Sequence, residues 1–155
     1  NNLVKGRGLK EEKIPLGKKY IRRFYFNFNS LSAKDIFNLL KWEEKHLFFE
    51  RYPKLNKIFD ELIESINGLK IFIVYGSYAR MSATEESDID LLFVGDIKGK
   101  NKIKEILVTL DIEPSIKIEA LQDFKKRKND ALHTQIIDEG IVMFGSENLW
   151  KLLKR

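Results

Sequence analysis

The chain has 155 residues, a third of them charged, a net charge of +5 and no cysteine. That length suffices for one domain with a real core and an appendage. The lack of Cys excludes disulfides and Cys-based zinc sites and suits an intracellular, cytoplasmic protein, and no apolar run approaches the roughly 20 residues of a membrane span.

The positive charge is concentrated at the start. Residues 1–23 hold eight Lys and Arg against two Glu, a net of +6, and the rest of the chain carries −1. Such a segment suits a polyanion, and DNA contact through residues 1–23 is one expectation, a solvated basic tail the other. Lys18-Lys19-Tyr20-Ile21-Arg22-Arg23-Phe24-Tyr25-Phe26 interleaves strand formers with basic residues, and a charged turn reaches Gly17, so a basic β-hairpin is predicted. The first residue is Asn rather than Met, so upstream residues are expected. No secretory signal is visible.

Ser30 or Ser32 can cap a helix beginning near Ala33. Its apolar face comprises Ile36, Phe37, Leu39, Leu40, Leu47 and Phe48; Trp42 suits either the core or a stacking platform. Tyr52-Pro53 interrupts this helix. Leu55, Ile58, Phe59, Leu62, Ile63 and Ile66 then mark a second amphipathic helix, ended by Asn67-Gly68.

Ile71-Phe72-Ile73-Val74-Tyr75 reads as a strand buried on both faces. It runs into Gly76-Ser77, and ten residues later Asp88-Ile89-Asp90 opens a second apolar run, Leu91-Leu92-Phe93-Val94. Alternation along a strand sends Asp88 and Asp90 to one face. Paired carboxylates repel unless a cation lies between them, and such hard oxygens suit Mg²⁺, which also binds substrate phosphates. Glycine lets the backbone approach a ligand closely, and N–H groups at a helix start hold anions.

Downstream, Ile103, Ile106, Leu107 and Leu110 predict a helix, and Ser115–Leu121 a strand. Gln122–Arg127 forms a helical turn, and Asn129 caps a helix carrying Leu132, Ile136 and Ile137. Ile141–Phe144 is a short strand, and Ser146 starts a last helix. The alternation of helix and strand indicates α/β packing. His46 and His133 are far apart in sequence and are expected as surface or packing residues rather than ligands.

The order Gly76-Ser77, ten residues, Asp88-x-Asp90 resembles the signature of the nucleotidyltransferase superfamily related to DNA polymerase beta, in particular the minimal nucleotidyltransferases. Tyr78-Ala79-Arg80 and Ser87 also look like that family. Met81 departs from it, since a Gly usually follows the Arg. The close match spans Ile71–Val94 and a looser one reaches about Gly145. The resemblance implies an α/β (α+β) fold: a small mixed sheet with helices on one side, spanning residues 31–155 with its leading helices. Residues 1–30 would be the basic hairpin, which loosely resembles the wing of a winged-helix domain.

The resemblance also implies roles. Asp88 and Asp90 would hold Mg²⁺, with two ions expected. Gly76, Ser77, Arg80 and Ser87 would bind the nucleotide, ATP as substrate. The family adds a third carboxylate on a later strand, at once metal ligand and catalytic acid. Glu119 is the best candidate, although a register shift of two would put Lys117 there instead; Glu113 shares the parity but precedes Pro114. The expected activity is transfer of a nucleoside monophosphate, AMP from ATP, to a protein, small-molecule or nucleic-acid acceptor. An antitoxin-type adenylylation of a toxin-like partner protein is one form of it. The alternatives are a DNA-binding regulator whose domain senses nucleotide, and a degenerate domain serving as an interaction module.

Overall fold

The computed structural model describes residues 8–17 and 19–154. The basic residues Lys5, Arg7 and Lys18 therefore lie outside the described part. Strands β1 (Leu9–Leu16) and β2 (Lys19–Phe26) form the predicted antiparallel hairpin, from Leu9 opposite Phe26 to Leu16 opposite Lys19. Then follow α1 (Leu31–Arg51), α2 (Lys54–Ser65), β3 (Leu69–Tyr75), the single turn α3 (Gly76–Ala79) and β4 (Ile89–Gly95). The chain continues through α4 (Lys100–Leu107), β5 (Pro114–Glu119), α5 (Leu121–Arg127), α6 (Ala131–Glu139), β6 (Ile141–Phe144) and α7 (Ser146–Leu153). Strand β5 ends two residues earlier than expected because Ala120 accepts the first hydrogen bonds of α5, from Asp123 and Phe124. The cap of α6 is Asp130 rather than Asn129.

The main sheet has the order β5-β4-β3-β6. Strand β3 is antiparallel to both neighbours, and β4 and β5 are parallel. Helices cover both faces of this sheet, not one as the family resemblance implied. The cause is visible in β3, whose alternate residues are apolar on either side. Phe72 and Val74 join a cluster with Phe48, Phe59, Leu62 and Ile106 from α1, α2 and α4. Ile71 and Ile73 join a second cluster with Phe37, Phe124, Ile136, Leu149 and Trp150 from α1, α5, α6 and α7.

The hairpin is mostly exposed on both faces, with Tyr20, Ile21, Phe24 and Tyr25 all open to solvent. A two-stranded ribbon is marginal by itself, and this one is fastened at one end. The Phe26 ring meets Phe37 at 5.6 Å and Trp150 at 6.0 Å, and Phe28 lies 4.6 Å from Trp150. Trp42 is exposed and stacks on His46 with the rings 5.5 Å apart, so it is not core.

Phe72 stacks on Phe93 at 4.5 Å and meets the Phe59 ring edge-on at 5.0 Å, with all three fully buried. Phe72→Ala is expected to lower the unfolding free energy by about 3–5 kcal/mol. Urea unfolding checks this through a lower midpoint at an unchanged slope.

Candidate active site

Strand β3 delivers Gly76 at its end, and β4 delivers Asp90 directly beside it, with Tyr75 opposite Asp90 in the ladder. Gly76 has φ +71°, and a Cβ placed on it would overlap the Asp90 carboxylate at Oδ2. Both the turn and the close approach therefore require glycine at this position. The two halves of the motif meet here, since the Gly-Ser turn lies against the second acid. Asp90 is half-buried and Asp88 exposed. Asp90, Gly76 and Tyr75 line a cavity of about 180 Å³ together with Leu132, Gln135, Ile136 and Glu139 of α6.

The turn after Gly76 is held by its own backbone. Arg80 N–H donates to Gly76 C=O, and Ser82 N–H and Oγ both donate to Ser77 C=O. Met81, in the position where the family has Gly, takes φ +57°. The turn thus keeps a glycine conformation without the glycine. A left-handed L-residue costs roughly 1–2 kcal/mol.

Two of the candidate nucleotide ligands are already engaged. Arg80 pairs with Glu139 through Nη1 at 3.4 Å. The Ser87 hydroxyl accepts from Thr84 N–H at 2.9 Å and bonds to the Thr84 hydroxyl at 3.1 Å, which closes the loop before β4.

Glu119 does not join the two aspartates. The parallel register sets Ser115 opposite Asp90, Lys117 opposite Leu92 and Glu119 opposite Val94. Glu119 thus shares the face of Asp90, as alternation predicts, but lies four residues further along, roughly 13 Å at 3.3 Å per residue. Its carboxylate is taken up locally. His133 Nε2–H donates to both oxygens, at 3.1 and 2.9 Å. Lys117 Nζ lies 3.1 Å from Oε1 and Arg127 Nη1 3.6 Å from it. Both Glu119 and His133 are buried. The expected third metal carboxylate is therefore a structural group that ties β5 to α6. His133 packs in the core, as expected, with its ring edge-on to Phe124 at 5.5 Å. Among the described residues, no group of three or more His, Cys, Asp or Glu is arranged to hold a metal.

Two side chains near the cavity have shifted ionisation. Burial, then the charges of Asp90 and Glu119, push the Tyr75 phenol up, so it stays protonated beside Asp90. Burial alone would raise the Glu119 carboxyl, but hydrogen bonds from His133 and Lys117 and their charges outweigh it, and the group ionises below the usual glutamate range. A folded-state pKa below the unfolded one contributes stability that is present above the unfolded value and is lost as pH falls through the folded one. Wild type should therefore lose stability on acidification below the ordinary glutamate range, and Glu119→Gln should be less stable at neutral pH but flatter through that window. Thermal melts across pH check this; parallel curves for both proteins would contradict the assignment.

The residues the sequence did not single out are Tyr75, Gln135 and Glu139. The signal was there in part: Leu132, Gln135, Ile136 and Glu139 recur at helical spacing along one side of α6.

Comparison with known proteins gives the family. The family model described as "Polymerase beta, Nucleotidyltransferase" matches residues 54–148, more than half of the chain. A protein of Methanocaldococcus jannaschii named "Putative protein adenylyltransferase MJ0604" is 35% identical over 79 residues, which is 49% of this chain and 79% of that protein. A crystal structure of a toxin-antitoxin with AMP-PNP superposes with a TM-score of 0.45 at 20% identity, covering 63% of this chain and 77% of that one. A crystal structure described as "a putative nucleotidyltransferase from Sulfolobus solfataricus" gives a TM-score of 0.38 at 17% identity, covering 67% of this chain and 86% of that one. Over residues 54–148, where the Gly-Ser turn lies against Asp90 of β4, the chain belongs to the polymerase beta nucleotidyltransferase family and is an enzyme of that family.

Proposed function

We propose that the chain is a Mg²⁺-dependent adenylyltransferase that moves AMP from ATP to a hydroxyl of a partner protein. The observation that supports this reading is the approach of the Asp90 carboxylate to Gly76, close enough to leave no room for a Cβ, which brings the Gly-Ser turn and an acid of the motif to one point. The choice of AMP and of a protein acceptor draws support from the M. jannaschii relative, whose name describes a protein adenylyltransferase.

The donor set suits the metal. Asp88 and Asp90 supply hard carboxylate oxygens, and Mg²⁺ commonly takes one or two carboxylates, with water and substrate phosphates completing its shell. One ion suits this set better than the two first expected, because β5 sets Ser115 and Lys117, not an acid, beside Asp90. When bound, the ion neutralises charge on the phosphate oxygens. The remaining work falls to the chain. Gly76 and Ser77 offer backbone N–H groups, and Ser77 its hydroxyl, to the β and γ phosphates. Arg80 has guanidinium donors beyond the one on Glu139, and these can meet phosphate charge. Tyr75, kept protonated, can donate a hydrogen bond into the site but cannot serve as its base. The transfer itself is in line: an acceptor oxygen bonds to the α-phosphorus as pyrophosphate departs.

Asp88→Asn and Asp90→Asn are each expected to abolish Mg²⁺-dependent ATP binding while the fold persists, since removing one of two neighbouring acids relieves repulsion. Thermal shift with ATP and Mg²⁺ measures this, and an undiminished shift in both variants would sink the assignment.

A second activity is favoured by the hairpin. Lys10, Lys13, Arg22 and Arg23 share this exposed ribbon with Tyr20 and Tyr25. A basic two-stranded ribbon of this kind suits a nucleic-acid backbone, with or without upstream residues. Affinity for duplex DNA should then fall steeply with salt, through counterion release, and vanish on removal of residues 1–26. DNA affinity undetectable at low salt would leave the hairpin a role in protein contact alone.

A further inference from the structure

We infer that Glu139, at the last turn of α6, is the carboxylate that takes the acceptor's proton, in place of an acid that β5 does not set beside Asp90. The inference rests on the nucleotidyl-transfer reading and adds a catalytic residue to it.

Three observations lead there. First, the β4–β5 register leaves no acid on β5 beside Asp90: Ser115 stands opposite it, Lys117 follows on the same face, and Glu119 is bound to His133. Second, among the described residues, Glu139 is the one acid besides Asp90 that lines the cavity against Gly76. Third, its two oxygens are differently committed. Oε2 accepts from Arg80 Nη1 at 3.4 Å and from Gln135 Nε2 at 3.1 Å. Oε1 has no hydrogen-bond partner among the described residues. One oxygen is therefore held and the other is open to take a proton, as a positioned base requires.

The step balances without a further reactant. A hydroxyl oxygen of the acceptor forms a bond to the α-phosphorus of ATP, and its proton passes to Glu139 Oε1. The bond from the α-phosphorus to the bridging oxygen breaks, and the electron pair leaves with pyrophosphate. The cavity of about 180 Å³ has room for a hydroxyl-bearing side chain, or for water, against Leu132 and Ile136.

Glu119 and His133 then act as positioning residues. Their bond fastens α6 to β5, and Glu139 lies six residues beyond His133, about 9 Å along the helix at 1.5 Å per residue. This explains why a buried acid on the right face of the sheet is spent on a histidine.

The experiment uses the whole chain, Mg²⁺ and α-labelled ATP, with water, ethanol and phenol as acceptors, and follows labelled AMP and its esters; calorimetry gives the MgATP affinity. Glu139→Gln is expected to lower kcat by about 100-fold or more with the MgATP Kd nearly unchanged, and Glu139→Asp to restore part of the rate. A kcat in Glu139→Gln within about threefold of wild type overturns the inference. So does a parallel loss of MgATP binding, because Glu139 would then act only by holding Arg80 and the shape of the site. A wild-type chain that binds MgATP but transfers to none of the three acceptors also overturns it, while leaving nucleotide binding in place. A wild-type chain that binds no MgATP overturns the nucleotidyl-transfer reading itself.

Discussion

The parallel pairing of β4 with β5 decides what surrounds Asp90. Every side chain on β5 inherits its level from that one register, and a register is discrete. With Ser115 opposite Asp90, the next residue on the same face is a lysine and the one after it a glutamate opposite Val94. No rotamer of Glu119 recovers four residues of strand. The chain instead surrounds this carboxylate with His133, Lys117 and Arg127. Removing one partner from such a buried pair costs about 3–5 kcal/mol, far more than a surface ion pair contributes. What the sheet gives up in chemistry at this position it gains as an anchor for α6.

That anchor connects the core to the site. Helix α6 carries His133 toward Glu119, Ile136 into the apolar cluster and Glu139 to the cavity edge. Gly140 follows at once, where any Cβ would overlap Ile136 C=O, with Ile73 Cγ2 close by. The helix therefore passes into β6 with no slack, and the position of Glu139 is fixed at both ends of α6. The same rigidity keeps Arg80 at hand, since its partner cannot drift.

Much of this was legible in the sequence because the signals were local. The doubly buried β3 shows as an unbroken apolar run, and the Gly76 turn, Asp88 before β4 and Asp90 on it are read from spacing alone. Alternation also gave the correct face for Glu119. What failed was its level along the sheet, because β4 and β5 are joined by about twenty residues that carry no mark of the register. The placement of helices on both faces, and of Glu139 at the site, likewise depends on which helix packs where. The glycine conformation at Met81 was foreshadowed by the family's preference for Gly there. The sequence alone cannot say whether such a turn is kept or rebuilt when the glycine is lost; here it is kept, with Met81 at φ +57°.

The aromatic latch at the base of the hairpin has an optical consequence. Trp150 is 4% exposed and ringed by Phe26, Phe28 and Phe37, whereas Trp42 is 62% exposed on α1. These are the chain's two tryptophans. An aqueous quencher such as iodide reaches the second indole and not the first, so the emission that survives quenching comes from the latch. Release of the hairpin would wet Trp150 and shift that residual emission to the red while the sheet stays folded. The chain thus carries one internal fluorophore for the attachment of its basic ribbon and a second, solvent-facing one as its reference.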